Sequence, residues 1–68
     1  MMEKQIYVDT KIRYACAREI GHPNEHLIFT DYDAVGGYVY FKSGDINFFA
    51  RLNKSGTNIR LGSVRRDS

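Results

Sequence analysis

The sequence predicts an α+β domain: a short N-terminal strand, then one helix packed on one face of a four-stranded antiparallel β-meander. Three observations predict it. Residues 11–20 carry a helical apolar stripe between two capping signals. After residue 26 the apolar period changes from 3.6 to two. Glycine-containing turns then recur at 34–37, 42–45 and 53–57 and cut the remainder into short β-prone runs.

The elements follow in order. Lys-Gln-Ile-Tyr-Val at 4–8 is rich in β-formers and reads as a short strand. Asp9 and Thr10 are both good helix N-caps, because their side-chain oxygens can accept a free backbone N–H. The helix covers 11–20, with Ile12, Ala15, Cys16 and Ile20 on one stripe. Gly21 suits a left-handed C-cap, and Pro23 forbids continuation. Four β-prone runs follow, at roughly 26–32, 38–42, 46–52 and 58–64. A second helix over 46–53 is the rival reading. It would group Ile46, Phe49 and Asn53 but leave Phe48 and Leu52 off the stripe, whereas strand alternation unites Ile46, Phe48, Ala50 and Leu52. Residues 65–68 read as a frayed tail of a single domain spanning 1–68.

Alternation predicts a core of Leu27, Phe29, Val39, Phe41, Ile46, Phe48, Ala50, Leu52, Ile59 and Leu61, covered by Ile12, Ala15, Cys16 and Ile20. A 68-residue chain is one domain and hides only about 60% of its unfolded surface. Its stability margin is small, and the single cysteine allows no internal disulfide. Self-association into a homodimer is therefore a live expectation.

The opposite face of the sheet is the informative one. Alternation places Ile28, Thr30, Tyr32, Tyr38, Tyr40, Lys42, Asn47, Phe49, Arg51, Asn53, Asn58 and Arg60 there. Of these, Tyr32, Tyr38, Tyr40, Lys42, Phe49, Arg51 and Arg60 form the candidate partner-binding set. Tyrosine gives contact area with few rotors to freeze, and arginine gives a planar fork that stacks on rings. The competing explanation is that cross-strand aromatic pairs simply stabilise a thin sheet, or lie under the N-terminal strand or a second copy.

Charge is unevenly distributed along the chain. The net charge of +2 divides into +1 over residues 1–20, −3 over 21–45 and +4 over 46–68. An acidic middle and a basic final third can steer a charged partner. The lone cysteine fits a reducing compartment, the polar N-terminus does not resemble a signal peptide, and no stretch approaches a membrane span. The chain is thus expected in the cytoplasm with no membrane contact.

Patterns for catalysis, metals or cofactors are weak. Cys16, His22 and His26 form C-x5-H-x3-H, but Pro23 splits the histidines and Cys16 is on the core stripe, so a zinc site or a Cys–His nucleophile is not expected. Asp31 and Asp33 share one side of a strand, with Asp45 in a nearby turn; such a cluster can hold Mg²⁺ or Ca²⁺, but turn hydrogen bonding explains it and no metal site is expected. Gly36-Gly37 precedes a strand, not a helix, so it is no phosphate cradle. Gly37-Tyr38-Val39-Tyr40-Phe41 shares with RNA-recognition modules only the chemistry of aromatics on a sheet. No Lys or Arg precedes the glycine, and Val39 occupies a small residue's place.

The expected function is that of a small non-enzymatic binding protein, with no catalytic residues, metal or cofactor, which occupies a protein partner's surface as an inhibitor or adaptor. Small phage and mobile-element proteins often act in this way. The alternative is a nucleic-acid-binding module in which Tyr38, Tyr40 and Phe49 stack on bases while Lys42, Arg51, Arg60, Arg65 and Arg66 meet phosphates.

Overall fold

The computed structural model describes residues 5–55 and 58–67. Helix α1 (Thr10–Ile20) precedes a single 3₁₀ turn (Asn24–His26) and four strands: β1 (Leu27–Asp33), β2 (Tyr38–Ser43), β3 (Ile46–Ser55) and β4 (Asn58–Arg66). The strands form one antiparallel sheet in chain order. The meander and the single helix are the predicted α+β architecture, and 46–53 is strand.

The caps act as their chemistry requires. Asp9 caps α1 through its side chain, which accepts from the Lys11 N–H at 2.8 Å. Gly21 ends the helix at φ 73°, and its N–H donates to the Ala17 carbonyl. Residues 5–9 differ from expectation. They form no regular strand, and Lys4 lies outside the described residues. Ile6 N–H donates once to Phe29 O at 2.8 Å, and Ile6 and Val8 pack against the core. The ladder stops there because β1 is bulged immediately after Phe29, and because Asp9 must turn the chain into α1.

The core lies between α1 and one face of the sheet. Leu27, Phe29, Val39, Phe41, Phe48 and Ala50 are buried beneath Ile12, Cys16 and Ala17. Phe41 sits between Phe29 at 4.9 Å and Phe48 at 5.3 Å between ring centroids. Ile20, Ile46, Leu52 and Leu61 are partly buried around this centre, and Val64 joins them. Ala17 replaces Ala15 as a fully buried position, so α1 is rotated slightly from its predicted stripe. Ile59 is a correction. It lies on the core side but near the closed end of the β3–β4 hairpin, at the margin of the core, and is 43% exposed. Arg13 docks the helix: its Nη2 donates to Leu27 O at 2.7 Å and its guanidinium lies 5.7 Å from the Phe29 ring centre.

Two bulges decide which residues share a face. In β1, Phe29 pairs with Phe41 and Asp31 with Tyr40, so Thr30 is an extra residue. In β4, Ala50 pairs with Val64 and Leu52 with Leu61, so Gly62 and Ser63 together oppose Arg51. Gly62 is required there: a Cβ at this position would lie 2.8 Å from the Arg51 carbonyl oxygen. The tail is also corrected. Arg65 and Arg66 belong to β4, paired with Phe49 and Phe48, and Asp67 N–H donates to Asn47 O at 2.8 Å. Ser68 and the predicted turn residues Gly56 and Thr57 lie outside the described residues.

Candidate functional site: the outer face of the sheet

Opposite residues in an antiparallel ladder point to the same side, so the registers fix the composition of the outer face. Three rows cross all or most of the sheet. One runs Ile28, Lys42, Asn47, Asp67. The next runs Asp31, Tyr40, Phe49, Arg65. The third runs Asp33, Tyr38, Arg51. Beyond them, Asn53 pairs with Arg60. Among the described residues, no helix or segment packs on this side, because α1 and residues 6–8 belong to the core side.

The aromatics form one group. Phe49 lies 6.1 Å from Tyr38 and 6.3 Å from Tyr40 between ring centres, in tilted geometries. All three rings are partly buried by one another and by the sheet, so they are pre-ordered. With Asp67 they line a shallow hollow of about 300 Å³.

Apart from Asp67, which lies at the end of β4, the acids and the arginines of this face divide by edge. Asp31 and Asp33, on β1, are exposed on one side of the aromatics. Arg51, Arg60 and Arg65, on β3 and β4, are exposed on the other. The meander keeps strands in chain order, so the acidic middle and basic end of the sequence become a gradient across the face. Both carboxylates also have local work. Asp31 Oδ1 accepts from the Tyr32 N–H, and Asp33 Oδ1 accepts from the Val35 and Gly36 N–H groups of the next turn.

Of the seven expected site residues, six share this face: Tyr38, Tyr40, Lys42, Phe49, Arg51 and Arg60. Tyr32 does not. The Thr30 bulge pairs it with Val39, which is fully buried, and so moves it to the core side. There Tyr32 joins Tyr7, Ile12, Leu52 and Ile59 in lining a separate groove of about 310 Å³. Arg66 likewise falls on the core side, opposite Phe48, whereas Arg65 is on the outer face. The side chain of Asn58 lies outside the described residues.

Asp31, Asp33, Arg65 and Asp67 are the outer-face residues that alternation alone missed. The signals that could have found them are spacings of three between apolar residues: Phe29 to Tyr32, and Leu61 to Val64 across Gly62. Such a pair shares a strand face only when an extra residue lies between, and an isolated strand glycine is a marker of that.

The candidate nucleophile and metal residues are arranged otherwise. Cys16 is wholly buried against the core, and desolvation pushes its thiol from 9.0 up to about 12. His22 Nδ1 is hydrogen-bonded to Ser43 Oγ at 2.7 Å, and its ring meets Phe48 edge-on at 6.0 Å. Ser43 is 3% exposed, so this pair anchors the segment after α1 to the end of β2 rather than facing a substrate. Among the described residues, no three His, Cys, Asp or Glu side chains converge as a metal site, and no helix is long and apolar enough to cross a membrane.

No protein-family model, no curated protein and no solved structure matches the chain.

Proposed function

We propose that this chain is a small non-enzymatic binding protein that uses the outer face of its sheet to occupy a protein surface. The observation that carries the reading is the position of two carboxylates. Asp31 and Asp33 stand directly beside Tyr40 and Tyr38, within the aromatic face itself. A polyanion drawn to Arg51 and Arg65 would bring phosphates toward those carboxylates, whereas a protein surface can present both signs of charge. Pre-ordered aromatics flanked by arginine supply anchor contacts at low entropic cost. The lone buried cysteine fits a reducing compartment.

The test compares wild type with Tyr40→Ser and Arg65→Asp, each verified as folded by circular dichroism, in capture from cell extract. Proteins held by wild type and lost with both variants support the reading; equal capture by all three contradicts it. A parallel amide-NMR titration with single- and double-stranded oligonucleotides separates the nucleic-acid alternative. Salt-sensitive shifts on β2, β3 and β4 would replace the protein reading with that one.

A further inference from the structure

From the arrangement of charge across the outer face, we infer that its occupant is a second copy of the chain, in a symmetric face-to-face dimer. The inference rests on the binding-face reading above and names the partner. Two of its rows are complementary about one axis, while the row of Ile28, Lys42, Asn47 and Asp67 adds no charge pair there. A two-fold parallel to the strands, between β2 and β3, lays β1 of each copy over β4 of the other. In that arrangement the row Asp31, Tyr40, Phe49, Arg65 meets itself reversed. Asp31 then opposes Arg65 of the second copy, and Tyr40 opposes Phe49. In the next row Tyr38 opposes Arg51, a ring against a guanidinium. A two-fold perpendicular to the strands would instead set acid on acid and base on base. An isologous contact needs this self-matching, and a closed two-fold dimer is the commonest assembly of small proteins.

The size of the face sets the strength. Four strands at about 4.8 Å spacing and about six residues at about 3.3 Å rise make a patch of roughly 20 by 20 Å. That is roughly 800 Å² in projection for the two copies together, below the roughly 1,200–2,000 Å² of standard interfaces. A contact of that size belongs with weak, transient associations, so the dimer fraction is expected to change with protein concentration. The dimer weakens further with salt, because its charge pairs lie at the rim.

Sedimentation from about 10 µM to about 1 mM, at low salt and at about 0.5 M salt, tests this. Wild type is expected to dimerise with concentration and to do so less at high salt. Asp31→Arg and Arg65→Asp are each expected to loosen the dimer at least tenfold, because each turns two attractions into two repulsions. An equimolar mixture of the two variants is expected to regain it, since in one contact the introduced arginine meets the introduced aspartate and in the other the native Arg65 meets the native Asp31. A wild type that stays monomeric at about 1 mM overturns the proposal, as do variants that dimerise like wild type or a mixture that stays monomeric. Should Asp31→Arg not fold, Arg65→Asp decides alone, and unchanged association overturns the proposal. If wild type is monomeric yet Tyr40-dependent capture of another protein persists, the dimer fails and the binding face stands. If both are lost, the binding-face reading fails too.

Discussion

Tyr32 stands opposite Val39 across the β1–β2 ladder, on the core side of the sheet, while Asp31 beside it stands opposite Tyr40 on the outer side. One extra residue, Thr30, makes the difference. Its Oγ1 donates to the Tyr40 carbonyl at 3.4 Å, close to where the ladder shifts. Two tyrosines on neighbouring strands thus serve different surfaces, and mutation separates them.

Tyr32→Ser is expected to leave association through the outer face within about twofold of wild type. Tyr40→Ser is expected to weaken it about tenfold or more, equivalent to ~1.4 kcal/mol. Sedimentation of both variants under one buffer checks this. Equal effects would mean that the bulge does not divide the faces.

Gly62→Ala is expected to destabilise the fold by about 1–3 kcal/mol, because its Cβ would meet backbone at the Arg51 carbonyl and cannot be relieved by a rotamer change. In a domain of this size, each kcal/mol lowers the melting temperature by about 4–8 °C. Thermal melts read it directly. A variant as stable as wild type would contradict the close approach at the β4 bulge.

Phe41→Ala removes a ring that is 1% exposed and stacked between Phe29 and Phe48. Such truncations cost about 3–5 kcal/mol. A single small core supplies about that much in total, so the variant is expected to be largely unfolded at 25 °C by circular dichroism and urea titration. A cooperative, near-wild-type transition would contradict the packing described.

Cys16 makes the fold sensitive to alkali. Its thiol is held protonated to about 12 in the folded protein but ionises near 9.0 when the chain unfolds. The stabilisation is therefore complete below pH 9 and is lost progressively between pH 9 and 12. The slope is about 1.4 kcal/mol per pH unit from this group. Cys16→Ser removes the thiol and should flatten stability over that window. At neutral pH the native thiol should resist alkylation and react only on unfolding. Fast native labelling would show the residue to be accessible.

The sequence revealed the elements more readily than the faces. Asp9, Gly21 and Pro23 bound α1 through local chemistry, and the turn glycines divide the strands, so both were legible from short windows. Face membership depends on parity, which a single bulge reverses for everything beyond it. No glycine marks the Thr30 bulge, whose one sign is the three-residue spacing from Phe29 to Tyr32, so simple alternation puts Tyr32 on the wrong side. Gly62 does mark the second bulge, and the reversed parity there sets Arg65 beside Phe49. Ile59 failed for a different reason: alternation gives its side of the sheet but not that it lies at the margin of the core.

The most direct measurement is the amide-NMR spectrum of labelled protein over a dilution series at low salt. Shifts that change with concentration should map to Asp31, Tyr38, Tyr40, Phe49, Arg51 and Arg65, while the amides of α1 stay fixed. Concentration-dependent shifts in α1, or around the groove that holds Tyr32 and Ile59, would place the interacting surface on the other side of the sheet and contradict the account.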